Sequence, residues 1–241
     1  QSQRRAREKE RLFVIEGLRL AGEAVAGQTA ARLVLHTDTL DERARGVVNR
    51  LARLGAEVET VSLEVMRACS DTEAPQGVLA VLPQPELPLP ARLTFALVLD
   101  RLANPGNLGS VLRAASAAGV EAVFLTPGSV DAFNPKVVRG AMGAHFHVPI
   151  RSAAWEALRE SLNGLAVWLA SSREGVRHDE VDWRERCALI LGSEAEGPGE
   201  EARALATGSV HIPMAGGVES LNAAVAAGVL LFEAARQREE G

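Results

Sequence analysis

The chain has no tyrosine, and only three tryptophans and six phenylalanines among its 241 residues. So few rings argue against any nucleic-acid surface built on stacked aromatics. Cysteine is as scarce. Cys69 and Cys187 lie far apart with no metal-ligand spacing, which argues against a disulfide framework and a zinc site and makes a reducing cytoplasm the simplest home. No apolar run approaches the roughly 18 residues of a membrane span; the longest, Ala223 to Phe232, reads as a packed helix. The opening QSQRRAREKERL is too charged to be a secretory signal. Excess positive charge is missing too, since the formal net charge is −5.

What is present is ordinary for a soluble globular protein: 47% hydrophobic and 24% charged residues. The length fits one large or two small domains. Charge is distributed unevenly, and binding of a polyanion needs only a local basic patch. Residues 1 to 20 hold six basic side chains (Arg4, Arg5, Arg7, Lys9, Arg11, Arg19) against three acidic ones (Glu8, Glu10, Glu16). A solvated helix face with i,i+4 pairs is the more ordinary account of them, and charge alone does not settle the matter.

Four prolines in PQPELPLP (83 to 90) mark a stiff linker and divide the chain near residue 87. Before it the pattern predicts a helix over 8–26, a strand over 31–36, a helix over 41–54, a strand over 57–62, a short helix near 63–68 and a strand over 77–82. That is a small α/β sandwich spanning residues 1–86. His36 at a strand end, with Asp38 after it, reads as a hydrogen-bonded structural group. In residues 91–241 strands are predicted at 94–100, 121–126, 146–150, 165–170, 187–191 and 209–212. Helices fall near 107–118, 134–142, 153–162, 199–206 and 219–237. Nearly continuous apolar strands such as FALVLD and CALILG indicate a parallel sheet covered on both faces.

Three times in this second half an apolar strand runs into a loop of Gly, Asn, Ser and Glu and then into a helix. In a parallel sheet such loops share the carboxyl edge, where ligands bind. In LVLDRLANPGNLGSVLRAASAAG, Asn107 is placed to cap the helix, and Arg113, six residues on, is suited to an anion. In LILGSEAEGPGEE, Gly192 lets backbone approach a ligand, and Glu194 and Glu196 can accept from ribose hydroxyls, amines or an arginine. In VHIPMAGGVESLNAAVAAGVLL, Gly216 and Gly217 make a tight turn and Glu219 or Ser220 begins a helix. Ser220 and Asn222 there need partners, from a ligand or from the first loop. The dinucleotide fingerprint and the P-loop are both unmatched, which counts against a nucleotide-dependent oxidoreductase or an ATPase.

NPGNLGSVLRAASAAGV, LILGSEAEGPGEE and IPMAGGVESLNAAVAAGVLLFEAARQR resemble the three motifs of the SpoU (TrmH-type) RNA 2′-O-ribose methyltransferases of the SPOUT superfamily, in order and spacing, over residues 92 to 238. The GLRLAGEAV and APQGVLAVL stretches resemble the ribosomal-protein-like RNA substrate-binding domain that many of these enzymes carry. The resemblance implies an α/β fold with a carboxyl-terminal trefoil knot, which no periodicity could supply. It implies S-adenosylmethionine as cofactor, RNA as substrate, a homodimer, and neither membrane nor metal. Cofactor contacts then fall at Leu191, Gly192, Glu194, Ile212, Pro213, Met214, Ser220 and Leu221. The catalytic set falls at Arg113, Asn107, Glu194, Ser220 and Asn222. Enzymes of this pattern serve ribosomal RNA and transfer RNA; the two-domain layout favours ribosomal RNA by analogy. With few aromatics, shape and ribose recognition should dominate, and Arg4, Arg5, Arg7, Arg11, Lys136 and Arg139 are candidate phosphate contacts. An RNA-binding module without catalysis is the remaining alternative, disfavoured because all five polar positions are intact.

Overall fold

The computed structural model describes residues 4–193, 196–215 and 218–240. The chain opens with α1 (Arg4–Glu10), β1 (Leu12–Glu16) and α2 (Leu18–Ala26). The single helix expected over 8–26 is therefore two helices with a strand between them. The reason is local: Arg11 at φ 53 and Gly17 at φ 90 take left-handed backbone that breaks a helix on each side. Between them LFVIE alternates half-buried and buried residues, as a strand requires. The chain continues through β2 (Leu33–His36), α3 (Glu42–Arg53), β3 (Glu57–Thr60), α4 (Leu63–Cys69) and β4 (Val78–Pro83). Asp41 caps α3, its side chain accepting from the Ala44 amide at 2.7 Å, and Ser62 caps α4 in the same way at 3.2 Å. Among the described residues these strands form a mixed four-stranded sheet in the order β1-β4-β2-β3, with only β2 and β3 parallel. His36 is fastened as expected: Nδ1 lies 2.8 Å from the Thr37 carbonyl and Nε2 3.3 Å from the Thr60 hydroxyl.

The second sheet is built from β5 (Phe95–Leu99), α5 (Pro105–Ala117), β6 (Ala122–Leu125), α6 (Pro135–Ala141), a 3₁₀ turn (Ala144–Phe146), β7 (Ile150–Ser152), α7 (Trp155–Ser161), β8 (Ala166–Ser171), β9 (Val176–Arg177), β10 (Cys187–Leu191), α8 (Glu200–Leu205), β11 (Gly208–His211) and α9 (Ala223–Glu239). Its seven described strands run in the order β7-β6-β5-β10-β8-β11-β9, and every pairing is parallel. β5 and β10 lie side by side near the centre, with Leu99 opposite Leu191, and all ten of their residues are buried. Burial on both faces is why these two read as continuous apolar runs. The strand expected at 146–150 begins instead at Ile150, because Ala144–Phe146 closes a 3₁₀ turn behind Gly143 at φ 100.

Two compact units result, Gln1–Glu86 with Asp131–His147, and Leu87–Val130 with Val148–Gly241. The segment 131–147, which the sequence reading kept with the second half, is bound into the first unit's core. Phe13 of β1 packs on Phe133 (centroids 5.2 Å apart), His145 (6.0 Å) and Phe146 (6.0 Å). Arg7 of α1 grips Asp131 through Nε at 3.0 Å and Nη2 at 2.6 Å, with side-chain exposures of only 8% and 14%.

Candidate active site

The carboxyl edge of the parallel sheet is assembled around β5. Asp100, next in the chain and 1% exposed, receives the Thr126 hydroxyl on Oδ1 at 3.0 Å and the Gly199 amide on Oδ2 at 2.7 Å. One carboxylate thus ties the ends of β5 and β6 to the loop that follows β10. Arg101, at φ 54, completes the clamp by donating to Glu196 at 2.7 Å and to the Gly197 carbonyl at 3.3 Å. Of the partners foreseen for Glu196, the arginine is the one found. Ser193 and Gly197 pair across this loop, the Gly197 amide donating to the Ser193 carbonyl at 2.9 Å. The backbone packs so closely that a Cβ placed on Gly192 would sit 2.7 Å from Pro198 Cα and 2.8 Å from Gly197 C. No side chain fits there.

Asn104 caps α5, its Oδ1 accepting from the amides of Gly106 (2.8 Å) and Asn107 (3.2 Å), with Pro105 in the first turn. The expected cap, Asn107, lies one turn inside the helix, because Asn104 still has extended backbone and helical geometry begins at Pro105. The Asn107 side chain instead reaches the start of α9, its Oδ1 accepting from Asn222 Nδ2 at 3.1 Å. Asn222 in turn caps α9, accepting from Ala224 at 2.9 Å and Val225 at 3.3 Å. That helix therefore starts at Ala223, not at Glu219 or Ser220. Asn222 is exposed, and the partner sought for it comes from the first loop's helix, so that the one amide group links the starts of α5 and α9.

These loops enclose a cavity of about 870 Å³. Asn107, Leu191, Gly192, Ile212, Met214, Ser220, Leu221 and Asn222 all line it, so eight of the residues singled out from sequence meet at one place. Pro213 is exposed and outside the lining. Arg113 is exposed on α5 and is likewise outside the cavity wall, with no hydrogen bond or ion pair among the described residues. Glu194, assigned to both the catalytic and the cofactor sets, lies outside the described residues, as do Gly216 and Gly217. Sequence reasoning missed a fourth wall, the end of β8 at Ser171 and the loop after it that carries Arg173 and Glu174, and it missed Arg203 of α8. The signal was available: AVWLASSREG is again an apolar strand running into small polar residues and a glycine. Ser171 Oγ accepts from the Glu174 amide at 3.1 Å and shapes that loop.

Residues 94–232 match the SpoU rRNA Methylase family, and residues 2–80 match the MRM3-like substrate binding domain. The chain belongs to the SpoU rRNA methylase family. Among curated SpoU relatives, the 23S rRNA (guanosine(2553)-2′-O)-methyltransferase RlmP of Bacillus subtilis is 32% identical, over 95% of this chain and 90% of that protein. The crystal structure of the SpoU methyltransferase AviRb from Streptomyces viridochromogenes in complex with AdoMet superposes with a TM-score of 0.86 at 29% identity, covering 99% of this chain and 95% of that one. An AdoMet-bound rRNA methyltransferase from Sinorhizobium meliloti gives 0.87 at 29% identity, over 97% and 90%. No group of three or more His, Cys, Asp or Glu among the described residues is arranged to hold a metal, and no described helix is long and apolar enough to cross a membrane.

Proposed function

We infer that this protein transfers a methyl group from S-adenosylmethionine to the 2′-hydroxyl of a ribose in ribosomal RNA, using the carboxyl-edge cavity as the donor site. The observation that carries the reading is the convergence of the three loops on that one cavity. Its volume lies within the range of small-ligand sites. Leu191, Ile212, Met214 and Leu221 offer apolar wall to an adenine ring, and strand-end backbone offers hydrogen bonds to its edge. Arg173 and Arg203 in the same wall suit a carboxylate. The bound cofactor supplies an electrophilic methyl on a sulfonium.

The chain's own residues then have two tasks, to align the ribose hydroxyl and to manage its proton. Alignment of two bound reactants supplies much of the gain. Asn107, Ser220 and Asn222 orient the hydroxyl at the mouth of the cavity, joined by Glu194 as assigned from sequence. Arg113 grips the phosphate beside the target ribose and stabilises the developing alkoxide. A guanidinium with a pKa above about 12 is a poor base, so the proton leaves through that phosphate or water. The carboxyl-terminal segment forms a trefoil knot; insertion of β11 between the earlier strands β8 and β9 supports this. A second copy covers the apolar stripe of Val225, Val229 and Phe232 along α9, which is 37–51% exposed, making a homodimer. Cys69 and Cys187 are not joined in a disulfide, in keeping with a cytoplasmic site of action.

The test is incubation of the protein with radiolabelled S-adenosylmethionine and unmodified ribosomal RNA, followed by mapping of ribose methylation. A single 2′-O-methylated nucleotide is expected. Transfer to transfer RNA alone would move the substrate assignment, and no transfer to either RNA would overturn the function.

A further inference from the structure

We propose that the groove between α2 and α3 of the first unit is a seat for the sugar-phosphate backbone of the RNA substrate, with Arg19, Arg43 and Arg50 as its phosphate contacts. This deepens the function inferred above and rests on it. The groove measures about 620 Å³. Gly22 of α2 and Val47 of α3 line its floor, and a Cβ on Gly22 would meet nothing within 4 Å. Arg43, Val47 and Arg50 are spaced i, i+4, i+7 and share one face of α3. Arg19 faces them from α2.

The charge of the first unit is divided in a telling way. Four of the arginines first considered as phosphate contacts already hold carboxylates: Arg4 with Glu8 at 2.7 Å, Arg7 with Asp131, Arg11 with Glu86 at 2.5 Å and Arg139 with Asp71 at 3.0 Å. Arg19, Arg43 and Arg50 are exposed, and none has a side-chain hydrogen bond or ion pair among the described residues. The carboxylate that lines the groove, Glu23, faces His147 Nε2 at 3.0 Å. Three guanidinium groups against one carboxylate leave the rim of the hollow net positive, which favours an entering anion. Guanidinium forks match phosphate geometry, and the groove has no ring on which a base could stack. Arg43 and Arg50 stand two turns apart, about 10 Å along α3, which suits an extended chain of phosphates better than one small anion. Contacts of this kind position a strand without reading its sequence.

The full-length protein and a ribosomal RNA transcript test this by binding across a salt series. Combined Arg19→Ala, Arg43→Ala and Arg50→Ala should weaken binding at least ~10-fold at low salt. It should also flatten the dependence of log K on log salt by about 2 to 3, at roughly 0.7–0.9 per lost phosphate contact. S-adenosylmethionine binding should not change. Gly22→Phe, which fills the groove without altering charge, should weaken RNA binding as well. Combined Arg53→Ala, Arg92→Ala and Arg159→Ala, an equal loss of exposed charge elsewhere, should bind as wild type. A wild-type slope in the groove variant overturns the proposal, and so does an equal loss in the control variant. Saturable inorganic phosphate binding in the groove with RNA binding intact in the triple variant overturns it too. If wild-type protein neither binds nor methylates RNA, the inferred function fails rather than the groove alone.

Discussion

In the first unit, polar side chains are fastened to one another, from the buried Arg7 pair to surface pairs. Arg7 holds Asp131, Arg139 holds Asp71, and Glu16 takes the hydroxyls of Ser70 at 2.6 Å and Thr72 at 2.5 Å. At the carboxyl edge of the second unit the arrangement is reversed. Asp100 and Arg101 clamp the loops from behind, while Ser220, Arg173 and Arg203 line the cavity with no side-chain partner among the described residues. Most polar groups that serve the fold are paired inside it, Glu16 Oε2 being a buried exception, and polar groups left unpaired beside a cavity can meet a ligand. The same rule separates the paired arginines of the first unit from the three in its groove.

The sharpest way to break this contrast is at the pairs themselves. Arg7→Ala leaves Asp131 buried and without its partner, which costs about 3–5 kcal/mol. The first unit should melt on the order of 10 °C earlier; a shift near zero in a thermal melt would mean that the pair is not a fastener. Arg113→Ala should leave that melt unchanged and lower methyl transfer by roughly 10²–10³-fold, with cofactor affinity kept. Full turnover in that variant would remove Arg113 from the chemistry. Asn222→Ala tests an amide that is both fastener and site residue. Loss of the α9 cap costs about 1 kcal/mol, read as a fall of ~2–4 °C in Tm, together with slower transfer as Asn107 loses its partner.

The smallest effect expected is on pH. Burial holds the His145 imidazole below its usual pKa, against the opposing hydrogen bond to the Ala132 carbonyl and the charge of Asp131. The folded ring takes up its proton only at lower pH than the unfolded one, which is protonated below about pH 6.5. Stability is therefore whole above that pH and falls as the solution is acidified, by at most ~1.4 kcal/mol per pH unit. Melts at pH 7.5 and 5.5 should show the loss, and His145→Gln, which cannot charge, should reduce it.

How much of this could be read from the chain depended on whether the signal was local. β5 and β10 were legible because both faces are buried, and the three loops because small polar residues follow apolar strands there. The segment 8–26 was misread because a charged run and an apolar run adjoin at Arg11, whose left-handed backbone no periodicity reveals. Asn107 reads from sequence as the cap of α5 and Asn104 holds that role, because only the backbone shows where extended geometry gives way to helix. The docking of Asp131–His147 into the first unit rests on Phe133, His145 and the Arg7–Asp131 pair, contacts more than a hundred residues apart in sequence. Which arginines stay unpaired was equally out of reach, since partners such as Asp131 and Asp71 become neighbours only on folding.

Calorimetric titration of S-adenosylmethionine into wild-type protein and into Gly192→Ala is the most direct measurement of whether the carboxyl-edge cavity is the donor site. One bound cofactor per chain is predicted for wild type, none for Gly192→Ala, whose methyl group has no room beside Pro198, and unchanged binding for Arg113→Ala. Absence of binding to wild type, or equal binding to Gly192→Ala, would contradict the account.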